Sequence, residues 1–186
     1  MTWLTEADAL SHFQEGRISA VFAESVLRKS ASIDISQHFD VFLSHSYLDA
    51  RLIVGVKTLL EESEHLSVYV DWQSDPQLIR SAVTSETADL LRTRMKHCSS
   101  LIYVATNNTT NSRWMPWELG YFDGFRPEHT AILPLMKSIN TEFDAQEYLG
   151  LYPKLEVIPF KDGGDHLGIW VDTEKLMATI IQSFVR

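Results

Sequence analysis

A single α/β domain built on a parallel sheet of five strands, with helices on both faces, is what this sequence predicts, and three observations predict it. Short apolar runs recur along the chain and alternate with longer stretches whose apolar residues fall at helical spacing. The runs are apolar at nearly every position instead of every second one, the mark of strands covered on both faces. The length, 186 residues of which 45% are hydrophobic, is enough for one substantial core.

Taken in order, residues Thr5 to Lys29 read as two short helices. Thr5 and Asp8 are spaced like a capping box, Gly16 ends the first helix, and Leu4, Ala7, Leu10 and Phe13 form its apolar stripe. Phe22 and Val26 continue a stripe in the second. The Ser-rich link Ser30 to His38 divides an N-terminal helical extension, residues 1–36, from the main domain, residues 37–186. Phe39 to Leu43 is the first strand, and Tyr47 to Glu64 the first crossover helix, with Leu52, Val56, Leu59 and Leu60 inward. LSVYVDW is the second strand. Ser85 to His97 is a helix with Leu90, Leu91, Met95 and Cys98 inward, and SSLIYVATN is the third strand. The polar loop NNTTNSR then starts a helix whose register is set by Pro116, since proline is tolerated only near a helix start. TAILPLM is the fourth strand, Phe143 to Leu151 a weak helix, LEVIPF the fifth strand, and Asp172 to Arg186 a final helix with Leu176, Ile180 and Phe184 aligned. Such alternation with right-handed crossovers predicts the flavodoxin-like strand order 2-1-3-4-5. Pro159 fits a fifth strand at an edge, whereas Pro134, inside the fourth strand, asks for a bulge or an early end.

Composition narrows the function. A formal charge of −9 with no Lys/Arg cluster argues against nucleic acid or an anionic membrane as partner. Cys98 is the only cysteine, so an intramolecular disulfide and a multi-thiolate zinc site are both ruled out. An acidic N-terminus without a basic-then-apolar profile, and no apolar run long enough to span a bilayer, predict a cytoplasmic protein. No Gly-rich phosphate loop follows any strand, the seven His show no metal-ligand spacing, and no Gly-x-Ser-x-Gly elbow occurs, so no cofactor or metal is expected.

Ligands of an open parallel sheet collect beyond the carboxyl ends of the strands, where the strand order reverses. Past the first strand come Ser44, His45, Ser46 and Asp49; past the second, Asp71 and Trp72; past the third, Thr106 and Asn107. Glu118 follows on the next helix, one turn after Trp114 and on a face shared with Tyr121 and Phe125. A carboxylate among aromatic rings is either desolvated or beside a cavity where a polar ligand takes its hydrogen bonds; the plainer alternative is a surface Glu in a first turn, favoured there by the helix dipole. Convergence of hydroxyls, carboxylates and rings from four stretches fits a small-molecule pocket.

The strand FDVFLSHSYLDA and the later SSLIYVATNNTTNSRWMPWELG resemble a TIR (Toll/interleukin-1 receptor) domain in its bacterial form, over roughly Gln37 to Arg186. The most specific element is Ser112, Trp114 and Glu118 in a Ser-x-Trp-x-x-x-Glu arrangement. The resemblance implies an enzyme that cleaves NAD, hydrolysing it or cyclising the ADP-ribose, with Glu118 as the essential residue. NAD would be a substrate and not a cofactor. Ser44, His45, Ser46, Asp49, Asp71, Trp72, Arg80, Thr106 and Trp114 would be substrate-binding candidates. It also implies antiphage or cell-death signalling and self-association through TIR surfaces. The loop QSDPQLIRSAVTSET lacks the Gly-rich character of the interaction loop of animal receptors. Two other readings stay open: a non-catalytic TIR adaptor, and an N-glycosyl transferase, because Trp-x-x-x-Glu-Leu-Gly-Tyr also resembles nucleoside deoxyribosyltransferases.

Overall fold

The structure is a computed structural model that describes residues 2–13, 34–74, 84–138, 146–159, 165–172 and 177–185. In chain order the elements are β1 (Leu4–Thr5), α1 (Glu6–Ser11), β2 (Phe39–Ser44), α2 (Ala50–Glu62), β3 (Val68–Tyr69) and α3 (Asp71–Ser74). There follow α4 (Ser85–Lys96), β4 (Cys98–Ala105), α5 (Met115–Phe125), β5 (Thr130–Met136), β6 (Glu156–Pro159), β7 (Asp165–Asp172), β8 (Met177–Ile180) and α6 (Ile181–Val185). Among the described residues no helix is long and apolar enough to cross a membrane.

The main sheet has five strands in the order β3-β2-β4-β5-β1, and every neighbouring pair is parallel. Counted from Phe39 the strands stand in the order 2-1-3-4, and β1 takes the fifth place of the flavodoxin-like order 2-1-3-4-5, with the reversal between β2 and β4 as the sequence predicts. The pleat sends alternate residues to two separate cores. Val41, Leu43, Ile102 and Val104 pack on one face with Ile53, Val56 and Leu60 of α2. Phe42, Leu101, Tyr103 and Ala105 pack on the other with Leu91 and Met95 of α4 and Met115, Leu119 and Phe122 of α5. Cys98 belongs to this second core, and burial pushes its thiol pKa well up, as befits a small buried hydrophobe.

The segment that supplies the fifth strand differs from the expectation. Leu4 and Thr5 pair with Leu135 and Met136 and hold the far end of the edge of β5. LEVIPF reaches only the near end: Ile132 donates its N–H to Pro153 O (2.9 Å), and its carbonyl accepts from Leu155 N (2.8 Å). With the rest of that edge occupied, the chain turns away at Glu156 and forms an antiparallel sheet, β6-β7-β8. Pro159 therefore does lie on an edge strand, but of this second sheet. Pro134 needs no bulge, since β5 pairs in unbroken register with β4 from Leu101↔Thr130 to Ala105↔Pro134. Two residues after Ile132, Pro134 turns its nitrogen to the same outer edge, at the gap between Lys154 and Leu4, so its missing N–H costs the β4 ladder nothing.

Other boundaries shift for local reasons. The second strand is only Val68–Tyr69, because Asp71–Ser74 closes into a helical turn. Among the described residues of the expected final helix, Met177–Ile180 pairs antiparallel with β7 and Ile181–Val185 is helical, a case of strand pairing overriding local helical spacing. Leu176, Gly16, the second N-terminal helix with Phe22 and Val26, and Phe143 lie outside the described residues. In the first helix the capping box is present, with Thr5 Oγ1 accepting from Asp8 N and Asp8 Oδ2 accepting from Thr5 N. Its stripe is not the expected one, however. Leu4 is buried as expected, but Ala7 and Leu10 are exposed, and the other buried apolar residues are Trp3 and Ala9.

Ala9 faces Gly55 of α2, where the two backbones touch. A Cβ built on Gly55 would stand 1.9 Å from Ala9 O, so only glycine fits. Gly55→Ala should therefore displace α1 and cost about 1–3 kcal/mol, read as a fall of several degrees in Tm by thermal unfolding. Gly120→Ala is the control: nothing lies near its Cβ, so the ordinary helix gain of about 0.5–1 kcal/mol should raise Tm.

Candidate active site

α5 begins where the sequence places it, with Pro116 in its first turn and Ser112 Oγ accepting from Met115 N (3.3 Å). Glu118 sits one turn in, and Trp114 O accepts from its N–H (2.8 Å). Its carboxylate points at the sheet. Glu118 is 0% exposed, and Ser44 Oγ, at the carboxyl end of β2, donates to its Oε2 at 2.6 Å. Ser44 is equally buried and on the pleat face of Phe42. So the hydroxyl past the first strand and the carboxylate on the helix after the third meet at the reversal of strand order. The surface-Glu alternative is thereby ruled out.

The aromatic face of α5 is arranged differently from the expectation. Trp114 is 8% exposed and meets Trp117 edge-on at 5.3 Å between centroids. Trp117 stacks on Tyr121 at 5.7 Å, and Tyr121 leads to Phe125, which is 38% exposed. Arg92 of α4 lies over the Trp117 and Tyr121 rings. Glu118 is turned away from this ladder into the core, beside Met115, Leu119 and Phe122. Trp117 escaped notice in the sequence because it is offset by one residue from the Glu118 face.

The remaining candidates fall into two groups that fix the loops around this carboxylate. In the first, His45 places Nδ1 2.7 Å from Leu43 O, so that nitrogen carries a proton; Nε2 accepts from Trp72 Nε1 at 3.0 Å. Asp71 Oδ1 lies 3.6 Å from the same Nε2, a distance that would suit an imidazolium. The indole N–H aimed at Nε2 needs a lone pair there, however, so the ring is neutral and both nitrogens are engaged. In the second group, Asp49 accepts from Thr106 Oγ1 and from Asn108 Nδ2, both at 2.6 Å, joining the loop after β2 to the loop after β4. Ser46 caps the turn between them, accepting from Leu48 N at 3.4 Å. Asn108, absent from the sequence candidates, could be found only from this pairing; Asn107 beside it is exposed. Arg80 lies outside the described residues. Among the described residues no group of three or more His, Cys, Asp or Glu could hold a metal ion.

A parallel sheet with a desolvated, hydroxyl-bound glutamate at its switch point, one turn beyond a tryptophan, is the arrangement that the resemblance to TIR domains implies. Comparison with known proteins agrees. No family model matches the chain. It is 45% identical over 164 residues, 82% of either chain, to a Bacillus cereus (strain MSX-D12) protein named "Probable 3' cyclic ADP-D-ribose synthase ThsB'". It is 31% identical over 94 residues, half of this chain and 24% of the relative, to the Cytobacillus dafuensis "Putative cyclic ADP-D-ribose synthase TIR2". The chain belongs to the bacterial TIR-domain family of these proteins.

The hydrogen bonding of His45 makes a loop-fixing role testable. His45→Ala leaves the Leu43 carbonyl and the Trp72 indole without their buried partner and should cost about 1–3 kcal/mol. Turnover per folded molecule, measured well below the new Tm, should stay within a few-fold of the parent.

Proposed function

We propose that this chain cleaves the bond between nicotinamide and ribose in NAD and closes the remaining ADP-ribose on itself, with Glu118 as the catalytic residue. The observation that carries this is the Glu118 carboxylate, wholly buried and fixed by the Ser44 hydroxyl at the switch point of the sheet. Burying a carboxylate is costly to folding, and a function that needs its charge accounts for it. The names of the relatives, both cyclic ADP-D-ribose synthases, support cyclisation over hydrolysis.

The chemistry asks little of the protein. Nicotinamide departs with the electron pair of the C–N bond, which neutralises its ring, so no general acid is required. The ribose carbon left behind is oxocarbenium-like, and a fixed carboxylate beside it stabilises charge that exists only in the transition state. Retaining glycosidases rely on the same electrostatic logic. An atom of the same molecule then bonds to that carbon and gives up a proton; with water in its place the product would be linear. Trp114 walls the pocket. His45, Ser46, Asp49, Asp71, Trp72 and Thr106 shape it by holding the loops through which a substrate would be contacted. Residues 37–186 carry this chemistry, with Leu4–Thr5 completing the sheet edge. Self-association, a cytoplasmic setting and a place in antiphage signalling belong to the same proposal; Tyr47 and Leu48, 60% and 66% exposed beside the capped turn, offer apolar surface for contact between copies.

Glu118→Gln tests it. The substitution keeps size and helix propensity and removes the charge, so nicotinamide release should fall about a hundredfold or more, while Tm holds or rises. Mass analysis of the parent's product should find ADP-ribose less one water. Full activity of Glu118→Gln would remove the residue from the mechanism, and a linear product would replace cyclisation with hydrolysis.

A further inference from the structure

Tyr103 is 0% exposed on β4, and among the described residues its phenol oxygen finds no hydrogen-bond partner. Buried hydroxyls in folded proteins are nearly always paired, and an orphaned one is a net loss that phenylalanine, of the same shape, would avoid. A tyrosine kept in this position therefore points to a partner that arrives in another state of the molecule. Its location says which. Tyr103 is the register partner of Ser44 across the β2–β4 pair, and both side chains leave the sheet on the α5 face, one strand spacing apart. Ser44 in turn holds Glu118. The phenol and the glutamate thus lie on the same face of the sheet, joined through Ser44. The Tyr148 phenol is near enough to act on Tyr103, but it donates to Gln146 Oε1 at 2.7 Å and does not meet the Tyr103 oxygen in hydrogen-bond geometry. Burial first, then the Tyr148 phenol and the charge of Glu118, push the Tyr103 pKa upward, so the group remains a donor at all ordinary pH.

We propose that Tyr103 is a substrate-positioning residue whose phenol hydrogen-bonds a ribose hydroxyl on the nicotinamide side of NAD, orienting the reacting carbon against Glu118. This rests on the NAD reading above and extends it to a residue outside the candidate set. The contact gives the site a way to select a ribose over a deoxyribose, because a polar group left unpaired by the wrong substrate discriminates more strongly than an apolar wall.

The test compares the parent with Tyr103→Phe, using NAD and NAD analogues lacking, in turn, either hydroxyl of the nicotinamide-side ribose. Tyr103→Phe should unfold at the same or a higher temperature, since an orphaned hydroxyl is removed. Its kcat/KM for NAD should fall about ten- to a hundredfold. For one of the two analogues the parent's loss of kcat/KM should largely disappear in the variant, a coupling that a purely structural tyrosine would not produce. Unchanged kcat/KM in Tyr103→Phe overturns the inference while leaving the Glu118 reading standing. So does a lowered Tm with the same discrimination between NAD and the analogues. If the parent itself releases no nicotinamide, the functional reading fails and this inference falls with it.

Discussion

The hydrogen bond from Ser44 to Glu118 is the constraint on which the rest of the site depends. A carboxylate excluded from water is tolerated only where its charge is met by fixed dipoles, and here a hydroxyl at the end of β2 meets it at 2.6 Å. That contact needs β2 and β4 paired in their observed register, because the pair sets how far α5 stands from the Ser44 backbone. It also needs α5 to start at Met115, since one residue of slip would rotate Glu118 by about 100° away from the sheet. Pro116 and the Ser112 hydroxyl that accepts from Met115 N fix that start. Fold and chemistry therefore share the same few determinants, and the two loop-fixing groups, His45–Trp72 and Asp49–Thr106–Asn108, hold the surrounding walls to them.

Much of this was legible in the sequence, and particular residues show why. The apolar runs 39–44, 98–105 and 130–136 are long and buried on both faces, so composition alone marks them as inner strands. The start of α5 was legible because proline has so few places in a helix. Leu4–Thr5 was not. Two residues carry no periodicity, and what makes them a strand is the free edge of β5 far along the chain. LEVIPF was misplaced for the complementary reason: it has the composition of an inner strand, but another segment competes for the same edge.

The site was half legible. Which residues lie past the strand ends follows from topology, and Glu118 among aromatics stood out by composition. Which polar groups satisfy one another did not follow. Asp49, Thr106 and His45 read equally well as ligand contacts or as internal partners until distances of 2.6 to 3.0 Å paired them. Tyr103 was hidden by being an ordinary residue for a strand; only the lack of a partner for its oxygen distinguishes it.

The pairing of Leu4 with Leu135 bears on how the molecule assembles. Contacts so distant along the chain are slow to form, because a large loop must close before they repay its lost entropy. The helices and the β2–β4 pair can form from nearer neighbours, whereas β1 must wait until β5 is made and placed. Until then Trp3 and Leu4 have no core to enter, and the outer edge of β5 is an open template for any passing strand. Closure of β1 onto β5 is thus also what covers the far end of that edge against pairing with another chain.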